Sequence, residues 1–267
     1  MRKLVPALLG CVFVYALMAA EKPSSADAAA LIEKGRQKSL AYARSLPDFV
    51  CTETISRYKL GAPGRAAPRD PPDWVLVDKL AVNVSYFQQH ETHELKLLNG
   101  KPTHRSFDSL SVTSTGEFGG ILKSIFDPAS RTSFRWESWT NVRGRPAAAY
   151  SYNVKKIHSH YYVDSGEGEN AHRATVGFHG TVKMDRETGE VLYLNHIADR
   201  IPSELQITGV VTEIDYDFSE VSGNRYLLPA HSQTNIDSNA NSWKNESAFQ
   251  DYRKFDVSSK MDFGADK

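Results

Sequence analysis

Apolar and polar residues alternate in segment after segment of this chain, and that pattern limits the folds open to it. The segment from Trp74 to Tyr86 shows it most clearly. Trp74, Leu76, Leu80, Val82, Val84 and Tyr86 fall on one register; Lys79, Asn83 and Ser85 fall on the other. Side chains on a strand switch faces at every residue, so this reads as one long strand with a dry side and a wet side. Similar segments fill most of the sequence. Phe49 to Tyr58, Glu91 to Leu98, Ser133 to Trp139, Tyr150 to Val163, Phe178 to Met184, Val191 to Ile197, Val210 to Phe218, Tyr226 to Ile236 and Trp243 to Phe255 are the other expected strands. Asn99-Gly100 and Asp185-Arg186-Glu187-Thr188-Gly189 are the hairpin signals between them.

Two segments have helical spacing instead. Ala28 to Leu46 places Leu31, Ile32, Gly35, Ser39, Tyr42, Ala43 and Leu46 on one side, and Pro47 ends it. Phe118, Ile121, Leu122, Ile125 and Phe126 recur at helical spacing after Ser114-Thr115-Gly116-Glu117, which has the form of a capping box. Gly119 and Gly120 cost this short helix roughly 1 kcal/mol each relative to alanine, so packing must hold it. There is no βαβ rhythm, which argues against a parallel sheet. The expected fold is mainly β with a few helices: a curved, unclosed antiparallel sheet, a half-barrel of about ten strands, packed on one or two helices.

The ends and the charge bound the location. Arg2 and Lys3 precede an almost wholly apolar run from Leu4 to Ala20, the layout of a secretory signal cut near Ala20. Leu8-Leu9-Gly10-Cys11 is a competing lipoprotein-type site, but its apolar run is too short for the ordinary layout. No other stretch approaches the roughly 20 apolar residues of a membrane span. The expected product is periplasmic or extracellular, a single β-rich domain over 21–267 with a flexible Pro-rich surface loop at 59–73. Removing Arg2 and Lys3 leaves 30 basic against 32 acidic residues, a net charge of −2. With no basic patch, nucleic acid is not an expected partner. If Cys11 is cut away, Cys51 stands alone beside Phe49 and Val50 and reads as a buried small residue.

The segments Tyr42 to Thr52, Ser114 to Gly119 and Asp185 to Val191 resemble a family of uncharacterised secreted proteins of Acidobacteria-type soil bacteria. The order of an N-terminal helix, a long strand meander and an Asp-x-x-Thr-Gly hairpin also resembles the periplasmic lipoprotein-carrier and sensor group (LolA, LolB and RseB-like). That resemblance implies an unclosed sheet wrapped around helices, with acyl chains held on its concave side. It transfers no site residue.

No catalytic motif stands out. Serines lack a nucleophile elbow, and no glycine loop cradles a phosphate. Glu213, Asp215 and Asp217 alternate with apolar residues as an exposed face should. His158 and His160, two apart on an expected strand, are candidate metal ligands, with His172 or His179 as a third; His90 and His93 would point opposite ways. The expected binding surface is apolar: Phe118, Ile121, Leu122 and Phe126 facing Trp136, Tyr150 and Tyr152. No cofactor is implied. The sequence therefore reads as a non-enzymatic binding protein for a lipid, a lipoprotein acyl chain or another apolar ligand. An envelope protein-interaction or structural module with a filled core is the alternative, and a metal-assisted hydrolase a third.

Overall fold

The structure, a computed structural model, describes residues 21–61, 73–88, 90–110, 116–166 and 172–255. The signal segment, Cys11, most of the Pro-rich loop and Ser114-Thr115 lie outside these residues. Helix α1 spans Ser25–Ser45, and Ser24 caps it by accepting from Asp27 N at 3.1 Å. The chain then enters β1 (Phe49–Leu60), β2 (Trp74–Phe87), β3 (His90–Leu98) and β4 (Lys101–Pro102). Helix α2 is short, Gly120–Phe126. The long meander follows: β5 (Ser133–Val142), β6 (Arg145–Val154), β7 (Tyr162–Ser165), β8 (His172–Thr175), β9 (Gly177–Asp185), β10 (Val191–Asp199), β11 (Ile207–Val221), β12 (Asn224–Ser238) and β13 (Ser242–Lys254).

Among the described residues, eleven strands form one sheet in the order β4-β3-β2-β1-β13-β12-β11-β10-β9-β6-β5, while β7 and β8 form a separate hairpin. Every pairing is antiparallel. The two ends of the order do not meet, so the curved sheet stays open. Tight turns fix the register. Asn99-Gly100, Arg143-Gly144 and Ser222-Gly223 each have positive φ at both positions, the backbone of the two-residue turn that matches strand twist. Asp185 ties its own turn by accepting from Glu187 N at 2.9 Å and Thr188 N at 2.7 Å.

The core falls into two main clusters on the inner face. One gathers α2 residues with Tyr150, Tyr152, Phe178, Val182, Leu194 and Ile214, with α1 residues Leu31, Ile32 and Tyr42 against it. The other gathers Phe49, Ile55, Leu80, Val82, Val84, Phe107, Phe118 and Leu228.

Two strand readings change. The alternation seen from Tyr150 to Val163 is not one strand: β6 stops at Val154, a 3-10 turn covers Lys156–His158, and Ile157 is 83% exposed. The neighbouring strand β9 begins at Gly177, so the ladder has no partner beyond that point. In β2, Leu80 to Tyr86 alternate as expected. Leu76 is exposed, because the strand runs past the core and a register shift falls between Arg57 and Tyr58.

Candidate functional site

Directly opposed residues share a face of an antiparallel sheet, so the register can be read across the strands. One inner row runs Leu80, Ile55, Ser247, Ser232, Ile214, Leu194, Val182, Tyr150, Trp136. The next runs Asp78, Arg57, Asn245, Thr234, Thr212, His196, Gly180, Tyr152, Phe134. The second row is a polar band crossing an apolar bowl. Its members are tied laterally. Arg57 Nε donates to Asp78 Oδ1 at 2.7 Å and Nη2 to Oδ2 at 2.6 Å, a two-pronged buried pair. The Thr212 and Thr234 hydroxyls meet at 3.2 Å. Such residues leave a trace in the sequence: Glu53, Arg57 and His196 are polar residues standing on the dry register of their strands.

Helix α2 lies over the apolar end of this bowl. Ile121, Leu122, Ile125 and Phe126 are all buried, and each stabilises by roughly 1.5–3 kcal/mol on burial. That packing must do the work of propensity, since isolated helices shorter than roughly 12 residues are marginal in water. Ser114 and Thr115 of the expected capping box lie outside the described residues. The N-cap is Gly119, at φ 111° and with no side-chain bond to the helix. Gly116 has φ 105°, and an added Cβ at Gly120 would meet nothing within 4 Å. The segment entering α2 is held by Glu91, which accepts from Gly116 N at 3.2 Å and also from Phe118 N. Burial raises the Glu91 carboxyl above its ordinary value, and those two backbone bonds oppose the rise. Tyr216 Oη donates to Glu117 O at 3.2 Å.

Among the described residues, three polar atoms beside the α2 cluster have no hydrogen-bond partner: Trp136 Nε1, Tyr42 Oη and His196 Nε2. Buried polar atoms are ordinarily paired, so three around one apolar cluster need an explanation. His196 shows its tautomer. Tyr152 Oη donates its single proton to Asn195 O at 2.9 Å, and lies 3.1 Å from His196 Nδ1. Nδ1 is therefore the donor and Nε2 a bare acceptor. Tyr161 meets the imidazole edge to face at 4.6 Å, and Phe178 lies 4.5 Å away. Burial pushes the His196 pKa down to about 3, so the ring is neutral.

The expected binding residues divide. Ile121, Leu122, Phe126, Trp136, Tyr150 and Tyr152 come together in one cluster. Phe118 does not join them. It turns away at Gly119 into the second cluster, 5.2 Å from Phe49 and 5.4 Å from Phe249.

The strand expected to set His158 and His160 on one face is not formed. His158 ends a 3-10 turn and His160 lies in the loop beyond it, so the two are not on one strand face. His179 instead pairs with Asp199 at 2.7 Å, and His93 stacks on Phe107 at 5.0 Å. Among the described residues no cluster of three His, Cys, Asp or Glu side chains has metal-binding geometry. Glu213, Asp215 and Asp217 lie on the outer face, where Arg143 bridges Asp215 at 2.7 Å and Asp217 at 3.7 Å. Among the described residues no helix is long and apolar enough to cross a membrane.

Fold and site thus define a class: an open antiparallel sheet wrapped over a long and a short helix, with a polar band through its bowl. No family model matches the chain, and no curated protein matches it in sequence. Solved structures are similar to it in part. A LolA superfamily protein from Nitrosomonas europaea is 10% identical, with TM-score 0.34, over 88% of this chain and 96% of that one. A DUF1329 family protein from Desulfovibrio piger is 9% identical, with TM-score 0.37, over 85% and 93%. An outer membrane lipoprotein-sorting protein domain from Vibrio parahaemolyticus is 9% identical, with TM-score 0.35, over 83% and 91%.

Proposed function

We propose that the chain is an exported, non-enzymatic binding protein for an amphiphile, a lipid or the acyl chain of a lipoprotein, taken up between the sheet and α2. The observation behind this reading is α2 itself: a seven-residue helix, entered through glycines and without a side-chain cap, covering the apolar end of the bowl. Moving it aside exposes Tyr150, Tyr152, Val182, Leu194 and Ile214 to an incoming chain. The ligand's own polar group then has partners waiting. Trp136 Nε1 donates, Tyr42 Oη does either, and His196 Nε2 accepts.

The protein expressed with its signal segment and purified after export tests this. Organic extraction followed by mass spectrometry is expected to release a bound lipid, and a dansyl fatty acid to titrate in saturably after delipidation. Extracts free of lipid, together with no saturable titration, overturn the reading.

A further inference from the structure

His196 Nε2 is a buried acceptor with nothing, among the described residues, to accept from. The residue is 1% exposed, and an acceptor buried without its bond is unfavourable until a donor arrives. Tyr152 and Phe178, which flank the imidazole, belong to the cluster that α2 covers, so the acceptor borders the volume that opens when α2 moves aside. Its neighbours across the sheet are Thr212 on β11 and Gly180 on β9. Gly180 has no side chain to offer, and the Thr212 hydroxyl meets Thr234 at 3.2 Å.

The charge around this acceptor decides which donors fit. Neither neighbour in the band is charged. The guanidinium of the band, Arg57, lies four strands away and is gripped by Asp78. Lys59, on the same face, lies over the Trp243 ring at 5.8 Å. Glu53 and Glu91 add carboxyls to the inner face, and burial raises both above their ordinary values, so the interior already resists negative charge. The imidazole supplies no cation either, because burial keeps it neutral. A carboxylate or phosphate placed here has no proton to give Nε2, and its charge goes uncompensated. An ammonium has protons but would lose its water with no carboxylate among the neighbours of His196 in the band. An O–H or amide N–H carries the proton without the charge. Trp136 Nε1 suits the same class of ligand, since an ester or amide carbonyl accepts from it.

We infer that the ligand meets His196 Nε2 with an uncharged O–H or N–H donor, so that the bowl selects an acyl chain joined to a hydroxyl or amide over a free fatty acid or an anionic phospholipid. This rests on the binding reading above and names its ligand class. Two sources share the chemistry: the free hydroxyl of an acylglycerol and the N–H of an amide-linked acyl chain. A site that accepts from a ligand's O–H or N–H rejects analogues lacking it more strongly than an apolar pocket rejects a changed chain length, because the acceptor is left bare.

The test is competition against the dansyl fatty acid on the delipidated, exported chain at pH 8, where a fatty acid is ionised. The competitors share one chain length: laurate, 1-monolauroylglycerol and its di-O-methyl ether, lauramide and N,N-dimethyllauramide. At least one donor compound is expected to displace the probe at a concentration about tenfold or more below both laurate and its own methylated partner. Monolauroylglycerol ahead of lauramide assigns the donor to an acylglycerol, the reverse to an amide-linked chain, and parity to the shared donor. His196→Leu, or His196→Phe should the first not fold, is expected to shrink the advantage over the methylated partner to about twofold or less, with the urea midpoint showing that the variant is folded. Saturable probe binding in which neither donor compound outcompetes laurate and its methylated partner overturns the inference and leaves the binding reading standing. A full advantage retained in the folded variant also overturns it. No saturable binding of any compound removes both.

Discussion

The Tyr152 hydroxyl lies 3.1 Å from His196 Nδ1 while donating to Asn195 O, and this fixes a neutral imidazole with a bare Nε2 inside the sheet. The folded pKa of about 3 lies below the ordinary 6.5, so below pH 6.5 the unfolded chain binds a proton that the folded protein does not. Stability from this group is complete above pH 6.5 and declines toward pH 3, by about 1.4 kcal/mol per pH unit. His196→Gln should remove that decline. Urea midpoints measured from pH 7 to pH 4 are expected to fall more steeply for the parent than for the variant.

Glu53 acts in the opposite direction. Burial raises its carboxyl to about 7 from 4.5, a hydrogen bond with Ser247 opposes the rise, and Glu91 adds to it. The folded protein therefore holds a proton between pH 4.5 and 7 that the unfolded chain releases. Stability from this group is complete below pH 4.5 and lost as the pH rises to 7. Glu53→Gln should steepen the acid-side fall, because the opposing term is gone, and raise the urea midpoint at pH 8 relative to pH 5.

Cys51 is 2% exposed, and burial, with Glu53 nearby, raises its thiol well above the ordinary range. The reactive species is the thiolate, so the native protein should resist Ellman's reagent at pH 8. One equivalent is expected to react in urea. Rapid native labelling would show that this part of the sheet opens.

Gly180 opposes Tyr152 and His196 in the polar band, and a Cβ added there would lie 1.9 Å from Asn195 O, a backbone atom. Backbone cannot swing aside as a side-chain tip can. Gly180→Ala should cost about 3 kcal/mol or more, the upper end of overpacking penalties. Chemical denaturation reads this directly, and Gly144→Ala, whose cost is only its turn geometry, is the comparison.

Gly120 is exposed within α2, at a position with open space around it. Gly120→Ala should stabilise the helix by up to about 1 kcal/mol. If a ligand enters by displacing α2, the same substitution slows dansyl fatty acid uptake in stopped flow. Faster or unchanged uptake, with the stability gain present, argues for another entry route.

Much of the fold was legible in the residues. The alternation marked nearly every strand, and Asn99-Gly100 and Asp185 to Gly189 marked their turns. Pro47 marked the end of α1. The pattern failed where a partner ran out. Tyr150 to Val163 alternates well enough for one strand, but β9 ends the ladder at Val154, and with that His158 and His160 lose their shared face. Leu76 has the right parity for the core and lies beyond it. Phe118 has the right spacing for α2, but Gly119 turns the chain before the helix starts.

Sequence alone determined the period of the elements, because side-chain direction along a strand or helix is a local property of the backbone. The tertiary structure decided which strands became neighbours, and so aligned Arg57, Thr212, His196 and Tyr152 from four distant segments into one band. Register between strands is set by long-range pairing, and no local pattern encodes it. The same pairing gave Trp74–Asp78 only β1 as a neighbour among the described residues, because a strand's edge exists only once the sheet has formed around it.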